Sequence, residues 1–100
     1  MREKSSMVTL EEIQLRCTRG NRRNVTSQLL SGLPPAQPQT GLCAVKIYEA
    51  ADIVTDIAVH LHWNIVLPSS GSTTASSIAD ALRAAGMVKH TVWELAAGAD

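Results

Sequence analysis

Phenylalanine is absent from this 100-residue chain, and Trp63, Trp93 and Tyr48 are its only aromatic side chains. Its core must therefore come from Leu, Ile, Val and Ala, which suits small, closely packed helices. Neither sign of charge is in excess, because nine basic residues balance nine acidic ones. Cysteine is scarce: Cys17 and Cys43 lie far apart, and such a pair in a cytosolic chain reads as two small hydrophobes, not a disulfide framework. No apolar run is long enough to span a bilayer. Met1 to Ser6 is polar and no apolar segment follows, so no secretory signal is read and a cytoplasmic location is expected. Without that signal, the sequon Asn24-Val25-Thr26 carries no meaning.

What is present fits one domain, with 45% hydrophobic residues. The charge is unevenly placed. Residues 1–31 hold six basic and three acidic side chains, a surplus of +3, and residues 32–100 mirror it at −3. A basic end suggests an anionic partner there.

Thr9-Leu10-Glu11-Glu12 has the form of a capping box, and Leu10, Ile13 and Cys17 follow at helical spacing, which predicts a first helix over 10–17. Gly20 breaks it. Asn21 then caps a second helix over 22–31, anchored by Val25 and Leu29 and stopped by Gly32, Pro34 and Pro35. Residues 35–41 read as loop and 42–48 as a short strand. Ala50, Ile53, Val54, Ile57, Ala58 and Leu61 match the helical series throughout and predict a third helix. Residues 62–67 are β-branched and apolar, a short strand ending at Pro68. Residues 69–77 are Ser, Thr and Gly cap chemistry. A fourth helix carries Ala75, Ile78, Ala79 and Leu82 and ends at Gly86. Residues 87–95 read as a strand or a helical turn.

Two short helices joined by a Gly-containing turn, the second rich in Arg, Asn, Thr, Ser and Gln, describe a helix-turn-helix. With Val25 and Leu29 facing inward, Arg22, Arg23, Asn24, Thr26, Ser27 and Gln28 remain for base edges and phosphates. Arg19 in the turn is placed to meet phosphate. The run Arg22–Pro35 resembles the second helix and exit turn of phage terminase small subunits. Lys46-Ile47-Tyr48-Glu49-Ala50-Ala51-Asp52-Ile53-Val54 resembles the segment after the wing there, a layout shared with MerR-type winged helices and excisionases. The resemblance covers about 9–61. It implies duplex-DNA binding through helix 22–31, with 39–48 as a wing bearing Lys46, in packaging or transcription regulation.

The expected fold is thus mainly α: a winged helix-turn-helix over 1–61, with a small α/β extension over 62–100 that packs on it or forms a homodimer. The alternative is a compact α/β domain with strands at 42–48, 62–67 and 88–94 and helices at 49–60 and 74–85. In it, Ser69 to Thr74 would cradle a phosphate or serve an interaction site. His60 and His62, with Cys17 and Cys43, lack zinc-site spacing, and Asp52 and Asp56 read as solvated charge. With no Gly-x-Ser-x-Gly elbow or other catalytic set, neither enzymatic activity nor a cofactor is expected.

Overall fold

A computed structural model describes residues 8–18 and 20–98 of the chain. Its elements are β1 (Thr9–Cys17), α1 (Arg22–Gly32), a short 3-10 turn (Pro38–Thr40), β2 (Leu42–Glu49), β3 (Asp56–Trp63), α2 (Thr73–Leu82) and β4 (Gly86–Glu94). The four strands form one sheet in the order β2-β3-β1-β4, and every neighbouring pair is antiparallel. Strand β1 therefore lies between β3 and β4, although α2 joins those two in sequence. This is the split βαβ arrangement of ferredoxin-like domains.

The mainly α winged helix-turn-helix is therefore corrected to an α/β fold. The expected first helix is a strand. Ile13-Gln14-Leu15-Arg16-Cys17 alternates strictly, and along β1 Thr9, Glu11, Ile13, Leu15 and Cys17 are all buried. A two-residue period puts all five on one face. The same physics overturns the third helix. Ile57, Val59, Leu61 and Trp63 alternate along β3 and are buried, whereas Ile53 and Val54 stand exposed in the β2–β3 connection. The helical series draws on that connection and on Ala58, which lies on the opposite face of β3. Residues 39–48 form no wing: a 3-10 turn leads directly into edge strand β2. The α/β alternative has the right class and locates β2, α2 and β4 closely. Its helix at 49–60 gives way to the β2–β3 connection and most of β3, and its strand at 62–67 to the end of β3 and the loop that follows.

Both helices lie on one side of the sheet. Helix α1 buries Val25 and Leu29, and α2 buries Ala75, Ile78, Ala79 and Leu82. They join Ile13, Leu15, Ile57, Val59 and Leu61 in one core cluster. Helix α2 starts cleanly because Ser72, in extended conformation, accepts from Ala75 N–H, a standard N-cap. Among the described residues, no helix is long and apolar enough to cross a membrane.

Candidate interaction face

With both helices on one side, the other face of the sheet has no covering layer among the described residues. Three rungs of side chains cross it from β2 through β3 and β1 to β4. They are Tyr48–Ala58–Gln14–Lys89, Lys46–His60–Glu12–Thr91 and Ala44–His62–Leu10–Trp93. A fourth, shorter rung runs Asp56–Arg16–Met87. Tyr48 is 46% exposed, Trp93 53% and Met87 78%. These three stand at separate corners of the face, around a polar centre formed by Gln14, Glu12 and His60.

The polar groups on this face hold one another in place. Glu12 sits at its centre. Its Oε2 lies 3.0 Å from His60 Nε2, and its Oε1 accepts from Trp93 Nε1 at 3.4 Å. The Tyr48 ring tilts against His60 with centroids 4.7 Å apart. Along the fourth rung, Arg16 grips Asp56 with two parallel bonds of 2.9 and 3.0 Å. Those bonds hold the Asp56 carboxyl below its ordinary range and raise the Arg16 guanidinium. His62 is the exception. Its Nε2 is shut off from solvent and has no hydrogen-bond partner among the described residues. Burial, then the charge of Lys46, then His60 push its pKa below the usual histidine value.

On the helix side, Glu11 is completely buried. It accepts from Trp63 Nε1 at 2.9 Å, Ser72 N–H at 2.8 Å and Ser72 Oγ at 2.5 Å. His90 Nε2 lies 2.9 Å from its Oε2. Gly71 closes this cluster with φ +83°, and a Cβ there would overlap both Glu11 Oε2 and the His90 ring. The Ser-rich segment read as a phosphate cradle therefore already directs backbone and hydroxyl donors of Ser72, at the α2 N-terminus, to the chain's own acid. Alternation with Ile13 is the signal that Glu11 points inward, and the capping-box match masks it.

The residues expected to contact DNA are scattered. On α1, Arg23, Asn24, Ser27 and Gln28 are all exposed, with Asn24 and Gln28 on the flank that borders the space between the helices. Arg22 instead donates to the carbonyls of Ala50, Ile53 and Asp56 at 2.9, 3.0 and 3.3 Å. Thr26 Oγ1 donates to Glu49 Oε2 at 2.7 Å. Lys46 is on the open sheet face opposite the helix layer. Arg19 lies outside the described residues. The structure thus groups Arg23, Asn24, Ser27 and Gln28 on α1 and separates Lys46 from them. Tyr48, His60, His62 and Trp93, none of them a site residue in the sequence reading, share the open face instead. No protein-family model and no curated protein matches this chain.

Proposed function

We propose that this chain is an α/β interaction module that pairs with a second copy of itself through the open face of its sheet. The observation that carries the reading is that face, which has no covering layer among the described residues and is set with exposed Tyr48, Met87 and Trp93. A second copy fits because the face is complementary to itself. A two-fold axis running along the strands, midway between β3 and β1, sets β2 over β4 of the second copy and β3 over its β1. Each rung then meets its own reverse. Tyr48 stands opposite Lys89 of the second copy, His60 opposite Glu12, and small Ala44 opposite large Trp93. A plane of four strands about 4.8 Å apart and eight residues of about 3.4 Å covers roughly 500 Å² per copy, near the lower limit for a specific interface.

Sedimentation or light scattering across a concentration series tests this directly. Wild type should run as a dimer. Ala58→Arg, which sets a charge in the middle of the face, should run as a monomer with an unchanged circular-dichroism spectrum. A wild type that stays monomeric at the highest concentration sinks the reading.

Duplex DNA at α1 is the second reading. It is favoured by the outward placement of Arg23, Asn24, Ser27 and Gln28 together. Phosphate contacts would give a linear fall of log affinity with log salt. A flat response, or no binding at low salt, removes this reading.

A further inference from the structure

The two helices do not close over the sheet. Between α1 and α2 lies a cleft of about 650 Å³, and its cause is in the sequence. Several residues that line the gap are small, Gly32 on one side and Ala81, Ala84 and Ala85 on the other, beside the larger Leu33 and Pro34. Among the described residues, no large side chain bridges the space. The floor is apolar, formed by Val25, Leu29, Ile78 and Leu82, all of them core residues. Neutral amide and hydroxyl side chains also line the cleft: Asn21, Asn24 and Gln28 on one side, Thr74 and Ser77 on the other.

We infer that this cleft is a binding site for a small, uncharged and mostly apolar molecule with one or two hydrogen-bonding groups. Three observations define that ligand class. The volume lies within the range of about 300–1,000 Å³ found for small-molecule sites. Among the described residues, not one that lines the cleft is charged, so an ionic ligand would lose its hydration without gaining a counter-charge. The polar groups present are neutral and flank an apolar floor. They can orient a carbonyl, amide or hydroxyl while the rest of the molecule displaces water from Leu29 and Ile78. The site lies on the opposite side of the sheet from the pairing face and does not depend on it.

The test uses the full chain and Nile red, a neutral apolar dye whose emission rises and shifts to the blue in apolar surroundings. Wild type should bind it saturably, one dye per chain. Ala81 is exposed, so Ala81→Trp fills the cleft without displacing the core and should weaken binding by about tenfold or more. Ser77→Tyr, built from another exposed position, should do the same and carries the comparison if the first variant fails to fold. Trp93→Lys on the open sheet face should leave the affinity unchanged. Dye binding that survives both cleft substitutions overturns the inference, and so does binding that is lost with Trp93→Lys. If Ala81→Trp changes the mass of the particle in solution, a second copy occupies the cleft, and the small-molecule inference fails.

Discussion

The Glu11 carboxylate and the His90 imidazole meet at 2.9 Å across neighbouring strands β1 and β4, on the buried side of the sheet and beside the first turn of α2. Through Ser72 and Trp63 the same carboxylate also bonds the α2 cap and the end of β3. One side chain therefore joins β1, β3, β4 and α2.

Glu11→Ala is expected to destabilise strongly. It strips the acceptor from the buried Trp63 and the part-buried Ser72 donors at once, and each stranded buried donor costs about 1–3 kcal/mol. Glu11→Gln should be milder, because its amide oxygen still accepts. Gly71→Ala should also be destabilising, by about 1 kcal/mol or more, since it meets both positive φ and the Glu11–His90 pair. Urea titrations followed by tryptophan fluorescence rank the three. A Glu11→Ala variant as stable as wild type would show that the cluster is not a structural joint.

Two adjacent arginines should behave differently. Arg22 ties the start of α1 to three carbonyls around the β2–β3 connection, while Arg23 points to solvent. Arg22→Ala should cost about 1–3 kcal/mol, as charge-assisted hydrogen bonds do. Arg23→Ala should fall within about 0.5 kcal/mol of wild type. Equal thermal midpoints for the two variants would contradict the assignment.

Ile57 is 2% exposed on the helix face of β3. Ile57→Ala should lower stability by about 2–5 kcal/mol, the usual range for emptying a packed core site. Val54→Ala, only a few residues away but 60% exposed, should be nearly silent. Denaturation of the pair checks the placement of β3, because a helix over these residues would have buried both.

His62 sets a pH dependence whose sign follows from its depressed pKa. Above the ordinary histidine value of 6.5, both folded and unfolded chains hold it neutral and stability is at its full level. As pH falls through that value, the unfolded chain takes up the proton first, so stability declines. The decline levels off once pH has passed below the folded value. Chemical denaturation of wild type and His62→Gln across this window should show a pH-dependent gap between them. Parallel curves would mean that the imidazole is as well solvated in the fold as out of it.

Much of the helical layer is legible in the sequence. Helix α1 is readable from Val25, Leu29 and the prolines that follow it, although Asn21 makes no side-chain cap bond and Gly32 is the last helical residue instead of a left-handed stop; α2 is readable from its Ser cap and its Ala-Ile-Ala-Leu face. The two central strands are not. In β1 and β3 two periodicities overlap, and Leu10, Ile13 and Cys17 satisfy a helical spacing as readily as Ile13, Leu15 and Cys17 satisfy a strand. Sheet pairing decides between them, and local sequence does not contain it. The open face is hidden for the same reason, since Tyr48, His60, His62 and Trp93 come together only through register.

The strand order also governs how the chain can assemble. β1 sits inside the sheet, yet one of its neighbours is the last strand, with Thr9 paired to Glu94. As the chain leaves the ribosome, β1 must wait for most of the remaining sequence before its second edge is covered. Until then it offers unpaired backbone groups, the template through which chains aggregate. Closing so wide a loop in sequence slows the search for the native pairing. Arg16, outward on β1, is the kind of charge that discourages a foreign strand from docking on that exposed edge during the interval.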